Sequence, residues 1–181
     1  MPYAAVRSQI RKMIEFEKGA VHIEGPTLSE TIRELGIDDG LKAFRPAWRQ
    51  KEALEEIAGL EDGWVVAAHF GAIEVAPGFR NIKLGRAMME VAFADTIMEE
   101  FIVISTEYYW HWDLDGTGLN VWEYQQVMTK LMEGVGMVKC ETDEQEICAH
   151  PANMLMVRTG KNVGAGASAA FERLLFLKKK S

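Results

Sequence analysis

Phe101-Ile102-Val103-Ile104-Ser105-Thr106 is the clearest strand in the chain, and its reading decides the fold. β-Branched and aromatic side chains suit a pleated, half-buried surface. The reading extends it through Tyr108-Tyr109-Trp110. Upstream, Trp64-Val65-Val66-Ala67-Ala68-His69-Phe70 is an apolar run of strand length, rich enough to be buried on both faces. Downstream, Met154 to Val157 and Phe171 to Leu177 read as a terminal pair of strands joined across a glycine-rich loop.

Helices fill the remainder of the reading. Val121, Tyr124, Met128, Leu131 and Val135 recur at spacings of three and four and predict a helix over 121–135. Met88, Val91 and Met98 predict another over 84–98. Ala4 to Lys18 reads as an amphipathic helix stopped by Gly19, followed by a short strand at Val21-His22-Ile23. Thr27 to Leu35 and Arg45 to Ala58 read as further helices, the second opened by Pro46 in its first turn. The expected fold class is therefore α+β. Its N-terminal third is helical, and a largely antiparallel sheet in the middle and C-terminal part is packed by the helices near 84–98 and 121–135.

Composition narrows the function. A chain of 181 residues with 48% hydrophobic residues suits a single globular domain, 1–181. Such a chain hides roughly 70% of its unfolded surface, so it needs no disulfide or metal staple. Acidic residues outnumber basic ones, 27 to 20, for a net charge of −7. That balance argues against a nucleic-acid partner, which requires a positive face to displace counterions. No apolar stretch approaches the roughly 18 residues that span a bilayer, so no membrane partner is expected. Two cysteines and an N-terminus without a continuous apolar segment fit a reducing, cytoplasmic setting. Ten methionines and five tryptophans suit an interface core, and a homodimer is expected.

Five stretches carry candidate chemistry. In Tyr108-Tyr109-Trp110-His111-Trp112-Asp113, an extended chain puts Tyr109, His111 and Asp113 on one face. His111 and Asp113 form the first candidate acid–base pair, with Tyr109 walling a ligand pocket. The alternative is a strand whose aromatics serve the core or a subunit contact. His69 and Glu74 form the second pair. Their spacing resembles the His-x4-Asp/Glu box of glycerolipid and lipid A acyltransferases. The resemblance implies a histidine base for an acceptor hydroxyl and an acid that orients it. It covers a short stretch, no second block of that family follows, and a structural His69 is the competing reading.

Arg158 and Lys161, in a loop with Gly160, Gly164 and Gly166, are candidate ligand-binding cations for an anion; the competing reading is a plain connection. Asp113-x-Asp115-x-Thr117-Gly118 imitates the start of a calcium loop, but Tyr124 stands where that loop needs a bidentate carboxylate. Cys140, Cys148 and His150 do not match a recurring zinc spacing. Neither a metal nor a cofactor is expected. The preferred function is a small-molecule-binding protein with an aromatic-lined pocket, catalysing acid–base chemistry in one version. A non-catalytic ligand sensor or a subunit of a larger assembly is the alternative.

Overall fold

The computed structural model describes residues 10–17, 19–25, 67–69, 73 and 75–177. Contacts divide the chain into two compact units, one of residues 1–64 with 73–95 and one of residues 65–72 with 96–181.

In the first unit the chain contradicts the expected helical N-terminal third. Strand β1 (Ile10–Phe16) and strand β2 (Gly19–Gly25) form an antiparallel hairpin, with Ile14 opposite Val21 and Phe16 opposite Gly19. Ile10, Met13 and Ile14 fit a helical spacing, which is why the segment reads as a helix. The pattern that wins has period two. Ile14 and Phe16 are half-buried between exposed Met13, Glu15 and Glu17, and Val21 and Ile23 alternate with exposed Ala20 and His22. Gly19 lies at φ +140°, a backbone state L side chains rarely adopt. The helices expected over 27–35 and 45–58 lie outside the described residues.

Helix α1 (Leu84–Ala92) packs on this hairpin and buries Ala87, Met89 and Val91. Lys12 of β1 pairs with Glu90, which also accepts from Arg86 Nε at 2.9 Å one helical turn away. Both cations hold the Glu90 carboxyl below its ordinary range, Lys12 foremost. The helix ends six residues before the expected Met98, and a 3-10 segment, Thr96–Glu100, follows.

The second unit is built on a four-stranded mixed sheet in the order β3-β4-β6-β5. β3 (Ala67–His69) runs parallel to β4 (Ile102–Glu107), while β4 and β5 (Val138–Cys140) both run antiparallel to β6 (Met154–Thr159). β6 occupies an inner position, and Met154, Leu155, Met156 and Val157 are all buried, as a strand covered on both faces requires. On one face Ile102, Leu155 and Val157 pack with Ile104, Val163, Phe171 and Leu175. The opposite face carries Met154, whose sulfur accepts from Thr129 Oγ1 at 3.2 Å on helix α3 (Val121–Glu133).

Two further expectations are corrected here. Phe171 to Leu177 is not a strand: α4 spans Ala165–Leu174. Phe171 and Leu175 are four residues apart, the spacing that brings both onto one helical face. Nor does the strand at 101–106 run on through Trp110. It stops at Glu107, and Tyr109–His111 is a 3-10 turn closed by His111 N–H to Tyr108 O at 3.0 Å. The stretch Asp113–Gly118 contains the short helix α2 (Leu114–Thr117).

Candidate functional site

The turn after β4 gathers an aromatic cluster of the second unit. Tyr108 stacks on Trp110 with ring centroids 4.8 Å apart, and Tyr109 lies 4.2 Å from the His150 ring. Trp122, in the first turn of α3, lies nearly parallel to His150 at 6.1 Å. Trp112 stacks on Tyr124 at 5.2 Å. Trp110 and Trp122 remain 49% and 48% exposed, so these rings form a solvent-facing surface as well as a cluster.

Hydrogen bonds fix the ring nitrogens. Trp110 Nε1–H donates to His111 Nε2 at 3.1 Å, and the Ala152 N–H donates to His150 Nδ1 at 3.1 Å. Indole and amide nitrogens are donors only, so His111 Nε2 and His150 Nδ1 are the acceptor atoms of their rings. In the neutral imidazole of His150 the proton then sits on Nε2. Beneath the surface, Glu107 accepts from Ser105 Oγ at 2.9 Å and from Trp112 Nε1 at 3.4 Å. Burial pushes the Tyr108 hydroxyl above its ordinary range. Its hydrogen bond with Thr106 opposes that rise, and its contact with Glu146 adds to it.

The segments that supply this surface are acidic. Residues 107–129 contain Glu107, Asp113, Asp115 and Glu123, and residues 141–157 contain Glu141, Asp143, Glu144 and Glu146, with no Lys or Arg in either segment.

The expected site residues fall in different places. His111 is exposed at the end of the 3-10 turn, whereas Asp113 is buried and caps α2 by accepting the Gly116 N–H at 3.0 Å. The extended geometry that put them on one face is absent. Tyr109 lies in the aromatic cluster. His69 contributes its backbone to β3 opposite Ile104; its side chain and Glu74 lie outside the described residues.

The Arg158 guanidinium and the Lys161 backbone N–H both meet the Glu99 carboxylate. The Arg158 guanidinium pairs with one Glu99 oxygen and donates to Met98 O at 3.0 Å, while the Lys161 N–H donates to the other oxygen at 2.9 Å. These contacts, the Lys161 N–H first, hold the Glu99 carboxyl below its ordinary range. Cys140 and Cys148 are both thiols, and burial raises the first. Among the described residues no three His, Cys, Asp or Glu side chains converge as a metal site would require.

The first unit holds a second feature, which sequence reasoning missed. Asn81 and Lys83, neither a glycine, lie at φ +66° and +63° in the turn that opens α1. Lys83 is the N-cap of that helix, and no side chain caps it. The N–H groups of its first turn therefore point outward without an intrahelical acceptor. The polar interruption Arg80-Asn81 ahead of Leu84-Gly85 was the only signal for this turn, and side-chain patterning does not encode a backbone's hand. His150 and Trp122 were missed for another reason: only the fold brings them to Tyr109.

The chain is 42% identical to the acetoin utilization protein AcuA of Bacillus licheniformis over 91% of this chain and 93% of the relative. Identity to the protein of the same name from Bacillus subtilis is 39%, over 90% and 92%. The chain belongs to the AcuA family. A crystal structure of an acetoin utilization protein from Exiguobacterium sibiricum superposes with a TM-score of 0.89 at 37% identity, covering 96% of this chain and 97% of that one. No family model matches the sequence.

Proposed function

We propose that the protein is an acyltransferase that draws its acyl group from a phosphate-bearing thioester, such as acetyl-coenzyme A, and passes it to an amine. The observation that carries this reading is the turn at Asn81–Gly85. Consecutive backbone N–H groups in a partly left-handed turn form an anion-binding concavity, and the helix N-terminus behind them adds a positive dipole end. The exposed Lys83 strengthens the field. Phosphate is the anion such turns hold best. The relatives' name supports the acyl part: acetoin contains an acetyl group, and acetyl groups travel on carriers of this kind.

The acidic aromatic surface supports an amine acceptor. An ammonium group is attracted to indole faces and to carboxylates alike. The amine must lose a proton before it can attack a thioester carbonyl. His69 with Glu74 is the candidate pair to receive it, because Trp110 Nε1–H and the Ala152 N–H already occupy the acceptor nitrogens of His111 and His150, and the thiolate that leaves the thioester takes up a proton in turn. A non-catalytic binding module is the second reading, favoured by the exposure of Trp110 and Trp122.

Calorimetry with acetyl-coenzyme A, together with mass spectrometry of an Nα-acetyl-lysine amide incubated with protein and thioester, separates these readings. The wild-type protein is expected to bind the thioester and to acetylate the amine. Lys83→Glu should weaken thioester binding about tenfold by placing a carboxylate at the anion site. Wild-type protein that does not bind the thioester would sink the acyltransferase reading and leave the binding module.

A further inference from the structure

We infer that Asn153 and Gln125 are positioning residues that set the Tyr109–His150–Trp122 face, an inference that rests on the amine-acceptor reading above. Asn153 is 3% exposed and belongs to neither the 3-10 turn nor α3. Its Oδ1 accepts the Tyr109 N–H at 3.1 Å, and its Nδ2 donates to Glu146 O at 2.8 Å. Its own N–H donates to His150 O at 3.0 Å. One buried amide thus joins the turn that carries Tyr109 to the segment that carries His150.

Gln125 works from the other side. Its Nε2 donates to Ala152 O at 2.9 Å and Pro151 O at 3.3 Å, holding α3 to the residues just after His150. Trp122 lies three residues earlier on the same helix, a spacing that puts the two side chains on neighbouring positions of one face. The histidine ring is therefore placed by Asn153 against Tyr109 and by Gln125 against Trp122. Both side chains bond the backbone that carries the rings, so each acts through the rings it holds.

A buried asparagine that served stability alone would lower the melting temperature and leave the face unchanged in the folded fraction. Positioning makes a different demand. In folded Asn153→Ala and Gln125→Ala proteins, the His150 ring protons should lose their ring-current shifts in the NMR spectrum. The KM for the Nα-acetyl-lysine amide should rise about tenfold, the scale of one lost buried hydrogen bond. Acetyl-coenzyme A affinity should stay at the wild-type value, since Asn153 and Gln125 lie outside the α1 turn. Gln125 is only half-buried, so its variant keeps the test open if Asn153→Ala fails to fold. Native ring shifts in the folded variants, or shifted rings with an unchanged amine KM, would overturn the inference. A wild-type protein that binds the thioester without acetylating the amine overturns the acceptor reading itself, and the ring shifts then decide the placement alone.

Discussion

At the residue scale, a tight backbone constraint lies where Gly160 meets Glu99. A Cβ on Gly160 would sit 2.3 Å from the Glu99 carbonyl oxygen, a backbone atom that cannot step aside. The Gly160 N–H donates to Phe101 O at 2.9 Å and the Asn162 N–H to Glu99 O at 2.9 Å, so both chains are pinned in this approach. Gly160→Ala should therefore destabilise the fold by about 1–3 kcal/mol, the range of overpacking, read from the urea midpoint. The Glu99 carboxylate adds a pH signature. Its folded value lies below the ordinary 4.5, so its stabilisation is complete above that value and is lost as pH falls through the depressed one. Glu90 has the same sign through Lys12 and Arg86. Glu99→Gln should flatten the loss of stability below about pH 4.5 relative to wild type. Acid denaturation curves that coincide would show that the Arg158–Glu99 pair contributes nothing in solution.

At the element scale, α3 depends on its first turn and on the methionines it buries. Asn120 Oδ1 accepts the N–H groups of Trp122 and Glu123 at 2.9 and 3.0 Å, and Glu123 returns a bond to the Asn120 N–H at 2.9 Å. This reciprocal box satisfies backbone donors that the helix cannot. Asn120→Ala should cost about 1 kcal/mol. Met132 is fully buried, and Met132→Ala should cost about 2–5 kcal/mol through lost burial and the cavity left behind. Thermal unfolding of the two variants checks the order. An Asn120→Ala protein less stable than Met132→Ala would mean that the cap, and not the core face, holds this helix. The helix over 121–135 was legible because Val121, Tyr124, Met128, Leu131 and Val135 form one apolar stripe. The hairpin was not, because a seven-residue strand with Ile10, Met13 and Ile14 satisfies a helical spacing nearly as well as an alternating one.

At the scale of the whole molecule, charge and exposed apolar surface pull in opposite directions. A net charge of −7 keeps copies apart, whereas Trp110, Trp122, Val127, Val138 and Leu174 leave large apolar side chains in solvent. The expected outcome is a two-fold dimer, checked by light scattering across a wide concentration range at low and moderate salt. A monomer mass throughout would leave these side chains for ligands or other partners. Among the described residues no helix is long and apolar enough to cross a membrane.

The sequence by itself determined the features that rest on local agreement among neighbours. The helices near 84 and 121 and the strands at 101–106 and 154–157 all carry their period or apolar run within a few residues. It also singled out the aromatic stretch at 108–112 and the cations Arg158 and Lys161. Only the tertiary structure decided what those residues meet. The strand stops at Glu107 where the Tyr109 N–H is taken by Asn153, forty-four residues away, and no local signal announces a long-range acceptor. Arg158 and Lys161 find Glu99 in the same way, at separations of 59 and 62 residues. The turn before α1 is a third case, since two non-glycine residues take left-handed backbone that side-chain patterning does not encode. Hydrophobic period is a property of neighbours along the chain, while partners for buried polar groups are a property of the folded chain, and the candidate site is built from the second.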